Sequence, residues 1–300
     1  MGKLVVYNNK SVTLPVAENI TLPLSRGENL SAQFYCLDVT IQHTNSATVT
    51  VSDYMFLKAL MSNINFEAGS ATKIIDLPVR DLMLIQLITR GLITVNIDKT
   101  TVGATTSTAR IYIDMTLIGF LNPKDSLFQT WNYGHRAINI EGGDFTIANT
   151  TINSVAIRVI EQFKNNASKN YLTDGKGNLL LDGNGKAVEF NVTKKPFGKD
   201  TPIVGTEPEK EISFPKNRKI TGLLIYAVDN SGAIVDGCID NIKIKNAESH
   251  IYGAIPFDTL NRMNRADRIF QSPQTTYFDN VVFVDLAQGE LSQAIDTGTM

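Results

Sequence analysis

The sequence predicts an all-β protein built as two tandem sandwiches, and three observations carry that prediction. Short runs rich in Val, Ile, Thr, Tyr and Phe are separated by Asn, Gly, Ser and Pro. One run alternates strictly between apolar and polar residues, and several blocks of sequence recur in the same order in both halves. The length of 300 residues agrees, because compact domains cluster at roughly 100 to 150 residues and single cores stop growing near about 250 to 300. With 43% apolar and 19% charged residues, each half has enough hydrophobic side chain to bury a core and too little charge for general disorder.

Taken in chain order, Lys3 to Tyr7, Ser11 to Val16, Gln33 to Gln42 and Thr48 to Val51 read as strands. The alternation is clearest from Arg110 to Leu117, where Ile111, Ile113, Met115 and Leu117 point to one face, which meets a core. Ile20 to Arg26 matches Ile212 to Arg218 with Ile, Pro and Arg identical, at a shift of 192. Asn63-Ile64-Asn65-Phe66 through Pro78 and Leu82 matches Asn241-Ile242-Lys243-Ile244 through Pro256 and Leu260 without a gap, at a shift of 178. A weaker match pairs Tyr112 to Met115 with Phe283 to Leu286, at a shift of 171. Three blocks in one order suggest duplication. Pro78 and Pro256 each stand where a strand gives way to a short helix, because Pro suits the first helical position, so one such helix is expected in each half.

Trp131-Asn132-Tyr133-Gly134-His135 interrupts the strand pattern after Leu121-Asn122-Pro123. The junction is therefore expected there, giving a first half of residues 1–133 and a second of 134–300. The second half carries an insertion without counterpart, about Asn165 to Glu211, rich in Lys, Gly, Asn and Pro. Asp174-Gly175 and Asp182-Gly183-Asn184-Gly185 within it demand positive φ and signal tight hairpin turns. Asn178 to Leu181 and Ala187 to Val192 are the expected arms of a hairpin that protrudes from the body.

Chemistry is sparse. Twenty-eight basic against thirty acidic residues leave a net charge of -2 without a Lys/Arg-rich arm, which argues against direct nucleic-acid binding. Two cysteines, Cys36 and Cys238, in a chain that begins without a charged segment and an apolar core of signal-peptide type, point to reduced thiols and synthesis in a cytoplasm. Both read as buried small hydrophobes. Met1-Gly2 lacks the Ser or Thr at position six that myristoylation wants, since Val6 stands there. The densest apolar stretch, Leu82 to Ile97, is broken by Gln86, Arg90, Gly91 and Asn96, short of a membrane span. The runs from Asp174 and Asp182 lack the repeated carboxylates of an EF-hand, and Gly183-Asn184-Gly185-Lys186 lacks the Ser/Thr and upstream Gly of a phosphate loop. His43, His135 and His250 lie far apart without paired Glu. No catalytic, cofactor or metal residue is assigned. Arg262, Arg265 and Arg268 recur every three residues beside Asp258 and Asp267, as on a solvated helix face or a subunit contact.

The paired strand-Pro-helix blocks at Asn63 to Leu82 and Asn241 to Leu260, with the final strand Val281 to Asp285 running into Leu286 to Leu291, resemble the double jelly-roll major capsid proteins of tailless, membrane-containing icosahedral phages of the tectivirus, corticovirus and finnlakevirus type. The resemblance implies two tandem eight-stranded jelly-roll sandwiches with short helices and a protruding loop insertion. It further implies a homotrimer forming a pseudo-hexagonal block of an icosahedral shell, with penton and minor capsid proteins as partners and an internal viral membrane nearby. The location implied is the virion, and the insertion from Asn165 to Glu211 is implied to be an outward tower. A carbohydrate- or receptor-binding sandwich such as a virion spike is the alternative. A bicupin enzyme is disfavoured by three histidines in total.

Overall fold

The computed structural model describes residues 4–25, 30–69, 72–115, 128–130, 133–165, 178–187, 196, 198, 201–203, 205, 207, 209–214, 219–246, 249–267, 277–286 and 295–296. The chain divides into two compact units, one of Met1–Gln86, Thr94–Leu117 and Asn122–Phe197, the other of Leu87–Ile93, Ile118–Leu121 and Gly198–Met300.

In the first unit the strands are β1 (Leu4–Asn8), β2 (Val12–Thr13), β3 (Asn19–Pro23), β4 (Leu30–Asn45), β5 (Met61–Ala68), β6 (Thr72–Pro78), β7 (Thr94–Asn96), β8 (Gly103–Asp114), β9 (Phe128–Gln129), β10 (Arg136–Gly142) and β11 (Thr150–Asn165), with helix α1 (Asp53–Leu60) between β4 and β5; helix α2 (Val79–Arg90) follows β6 and belongs to this unit as far as Gln86. One sheet has the order β1-β11-β4-β8-β7, with β2 beside β11 and β9 beside β4, and the other the order β3-β10-β5-β6. The pairings nest: β1 with β11, β3 with β10, β4 with β8, β5 with β6, all antiparallel. One long hairpin is thus rolled up until β11 meets β4 and β10 meets β5, which is the jelly-roll connectivity.

Burial follows the pleat. On β8, Ser107, Ala109, Ile111 and Ile113 are buried while Thr106, Thr108 and Arg110 are exposed, as the alternation predicted. Tyr35 and Phe163 from one sheet and Phe66 from the other build the centre. Tyr35 stacks on Phe66 with ring centroids 5.1 Å apart and meets Phe163 edge-on at 6.3 Å, and Phe66 meets Phe128 edge-on at 5.3 Å.

Two expectations change here. Thr48 to Val51 is not a strand but a loop, in which the Val49 amide donates to the Lys99 carbonyl at 2.9 Å. It leads into α1, a helix the strand pattern did not anticipate. Ser52 caps α1 with extended backbone (φ -64°, ψ 160°), its Oγ accepting from the Met55 amide at 3.3 Å. Tyr54, Phe56, Leu57 and Leu60 are its buried side. Ser52→Ala is expected to cost about 1 kcal/mol, read as a lower urea midpoint with unchanged slope.

The break at Tyr133–Gly134 is not the junction. β10 and β11 follow it in sequence, yet they pair with β3 and β5 and with β1 and β4, so the first roll closes only at Asn165. The interruption is a loop inside the first unit, where Tyr133 stacks on Phe128 at 5.0 Å; Trp131 and Asn132 lie outside the described residues.

The second unit contains β12 (Lys219–Ile220), β13 (Gly222–Val228), β14 (Ile234–Val235), β15 (Asn241–Asn246), β16 (Ser249–Pro256), helix α3 (Phe257–Asp267), β17 (Val281–Asp285) and β18 (Ile295–Asp296). β13 pairs with β17 and β14, β15 with β16, and β12 with β18, all antiparallel. Ile242, Ile244, Phe257, Leu260, Val282 and Val284 form its buried core.

The recurring blocks occupy equivalent places in the two units. Asn63 is registered opposite Pro78 and Asn241 opposite Pro256, and in each case a helix begins at the residue after the proline. Tyr112 of β8 pairs opposite Cys36 of β4, and Phe283 of β17 opposite Leu224 of β13. Ile212 to Phe214 show no strand, and Pro215 to Arg218 lie outside the described residues, so the block at a shift of 192 has no counterpart pairing here. Among the described residues the second unit has no counterparts of β10 and β11.

Candidate functional site

His43 is fully buried at the end of β4. Its Nδ1 lies 2.9 Å from Asn45 Oδ1 and its Nε2 2.8 Å from Ser107 Oγ. The Asn45 amide nitrogen donates to the carbonyls of Asp98 (3.0 Å) and Thr101 (3.1 Å), leaving Oδ1 as acceptor, and Ser107 Oγ accepts from the Asp98 amide at 2.8 Å. Because Asn45 Oδ1 can only accept, His43 donates to it from Nδ1, and the Ser107 hydroxyl meets Nε2. His43 therefore ties the end of β4 to the Asp98 loop. His135 is exposed and His250 lies on β16. Among the described residues no three His, Cys, Asp or Glu side chains converge on a common point.

Cys36 is buried as expected; Cys238 is exposed, contrary to expectation. The Asp236–Gly237 turn interrupts the apolar run after β14, so the thiol stands outside the core with Sγ 3.6 Å from the Asp236 carbonyl. It lines a cleft of about 440 Å3 with Asp236, Asp240, Phe257 and Asp258. Arg262 is exposed on α3, Arg265 pairs with Asp279 at 2.8 Å, and Arg268 lies outside the described residues.

In the insertion, Leu181 bridges to Ala187 across a tight turn in which Asp182 Oδ1 accepts from the amides of Asn184 and Lys186, both at 2.9 Å. Asp182 Oδ1 thus caps the turn, and Gly185 takes the left-handed conformation at φ +71°. Asp174, Gly175 and the arm from Val188 to Val192 lie outside the described residues.

Sequence reasoning missed a pair of side chains that the structure sets in equivalent roles. Gln86 on α2, buried, accepts through Oε1 from the Tyr112 amide of β8 at 3.2 Å. Asn264 on α3 accepts through Oδ1 from the Phe283 amide of β17 at 2.7 Å. Residues 86 and 264 differ by the shift of 178 that relates the helices, and residues 112 and 283 by the shift of 171 that relates the strands. In each unit a helix amide thus satisfies a backbone N–H on the matching strand, which supports the duplication independently of sequence identity.

Among the described carboxylates held in their charged form are Asp38 and Asp98. Burial alone would raise Asp38, but the hydrogen bonds and charges of Arg158 and Arg110 outweigh it and hold it low. Asp98 is held far below the usual carboxylate range by the hydroxyl and amide of Thr101, then by the Thr105 hydroxyl. A carboxyl whose folded pKa is depressed stabilises the fold above its unfolded value, about 3.9, and that contribution is lost as pH falls below it. Asp98→Asn is therefore expected to flatten the loss of stability between about pH 4 and pH 2, checked by urea midpoints across that range. An unchanged acid limb would show that the Asp98 loop contributes nothing.

No protein-family model matches the sequence, and no curated protein matches it. Solved structures do match. A crystal structure of the STIV MCP aligns with a TM-score of 0.68 at 11% identity, covering 99% of this chain and 88% of that one. The atomic structure of Sulfolobus Turreted Icosahedral Virus gives 0.69 at 10% identity, covering 99% and 83%. The major capsid protein P2 from Bacteriophage PM2 gives 0.56 at 10% identity, covering 99% and 88%. The chain has a double jelly-roll fold. At these identities the likeness is one of fold, and it extends along nearly the whole of the described double jelly roll rather than over one unit. The nested pairing of the first unit, found from strand register alone, is the same architecture seen from within the chain.

Proposed function

We propose that this double jelly roll is a major capsid protein that assembles into an icosahedral viral shell. The observation that carries the reading is the alignment over 99% of this chain and 88% of a virus major capsid protein, in a chain whose internal repeat sets two related rolls in tandem. Each unit is one roll, the first running to about Asn165 and the second following the insertion. The working form is a homotrimer, in which six rolls make a pseudo-hexagonal block, joined by penton and minor capsid proteins and lying over an internal membrane. Net charge near zero supports close packing of like subunits, since it avoids long-range self-repulsion. The protein acts as structure rather than as an enzyme; the outward tower expected from Asn165 to Glu211 falls mainly outside the described residues.

Native mass spectrometry of the purified chain over rising concentration tests this. The expected species has three times the mass of the 33.0 kDa chain, with larger assemblies following it. Monomers alone at every concentration, together with binding to a glycan array, would instead support a spike-like receptor-binding sandwich.

A further inference from the structure

We infer that one buried water molecule occupies the inner end of the first roll, held between Tyr35, Arg136 and Glu161. The three side chains come from β4, β10 and β11, hence from both sheets, and all are buried. Tyr35 and Glu161 are registered directly opposite one another on adjacent strands, so their side chains share a face. Arg136 comes from the facing sheet.

Both charged groups are anchored on one residue just past β3. Glu161 Oε1 accepts from the Ser25 amide at 2.9 Å, from Ser25 Oγ at 2.7 Å and from Asn9 Nδ2 at 2.9 Å, while Arg136 Nη2 donates to the Ser25 carbonyl. Carboxylate and guanidinium are therefore both hydrogen-bonded to Ser25, and among the described ion pairs none joins them directly. Among the described residues each keeps one buried polar atom without a protein partner, Glu161 Oε2 and Arg136 Nη1, and the Tyr35 hydroxyl is the third such atom at this site.

The unmet valences are complementary to water and to little else. Nη1 can only donate, Oε2 of a carboxylate can only accept, and a tyrosine hydroxyl does either. A water accepts from Arg136, donates to Glu161 and exchanges one bond with Tyr35, which gives the roughly three bonds typical of buried waters. A cation is repelled by the guanidinium, and an anion by the carboxylate. Burial pushes the Tyr35 phenol well above its ordinary value, with Arg136 opposing and Glu161 adding to the effect. The hydroxyl keeps its proton and remains available to the water. The consequence for the fold is a water-bridged polar knot that links both sheets where the chain leaves β3.

The test is density from the full-length protein at a resolution that shows ordered waters. A single isolated peak is expected within about 2.7 to 3.2 Å of Tyr35 Oη, Arg136 Nη1 and Glu161 Oε2. A direct Arg136–Glu161 pair with no peak between them would overturn the inference. Oxygen-17 relaxation dispersion gives a second measure that needs no atomic map. Glu161→Gln, nearly isosteric, and Tyr35→Phe are each expected to shorten the residence of one long-lived water relative to the unsubstituted protein. Unchanged residence in both variants would also overturn it, and the density measurement decides if either variant fails to fold.

Discussion

Phe66→Ala is expected to destabilise the first unit by about 3 to 5 kcal/mol. For a unit of this size that lowers the thermal midpoint by roughly 6 to 20 °C, read by calorimetry. Phe66 is fully buried on β5 and is the ring on which the two sheets meet: Tyr35 stacks on it from β4, and Phe128 from β9 meets its edge. Truncation removes the aromatic surface and leaves a void bordered by two rings anchored on different strands, so the site cannot collapse to fill it. Phe34 provides the contrast, because it is only partly buried and meets Tyr112 edge-on at 5.2 Å. Phe34→Ala is expected to shift the midpoint far less. Equal small shifts for both would mean that the face-to-face packing of the sheets is not the main support of the unit.

Much of this fold is legible in the sequence, and what is legible is local. The alternation around Ile111 and Ile113 names the buried face of β8 correctly, because side-chain direction depends only on the pleat. The shift of 178 finds β5, β6 and α2 and their counterparts β15, β16 and α3, because a hairpin followed by a helix keeps its spacing when copied. Strand partners are another matter. Nothing in the residues from Arg136 to Asn165 says that β10 and β11 return to pair with β3 and β4 more than a hundred residues earlier, and alternation fixes a face without naming a neighbour. The first roll therefore runs past the break at Tyr133–Gly134, which the local pattern alone marks as a junction. α1 was hidden for a related reason: its eight residues follow a Thr-Val-Thr-Val run with strand composition, and only Ser52 with its aspartate neighbour marks the start. Gln86 and Asn264 carry no sequence signal at all, since a helix amide that satisfies a distant strand N–H looks like any polar residue on a helix.

Gly143→Ala is expected to cost about 3 kcal/mol, at the upper end of ordinary overpacking, because the neighbour it meets is backbone. A Cβ built at Gly143 falls 2.1 Å from the Ala59 carbonyl oxygen and 2.6 Å from its carbon. Ala59 cannot retreat cheaply. It sits in the last turn of α1, where its carbonyl accepts from the Phe145 amide at 3.0 Å, and the next carbonyl, of Leu60, accepts from the Gly143 amide at 2.8 Å. Room for one methyl group therefore has to come from moving the end of α1 away from the exit of β10, stretching both bonds together. Gly134 is the matched control, since a Cβ there meets nothing within 4 Å; Gly134→Ala is expected to be neutral or to stabilise by up to about 1 kcal/mol through the unfolded chain. Urea unfolding of the two variants separates the causes. If Gly134→Ala is as damaging as Gly143→Ala, loss of backbone freedom rather than collision governs this region. A large loss confined to Gly143→Ala shows that the seam between α1 and β10 is closed by direct backbone contact, the device that lets a helix sit inside the roll without parting its strands.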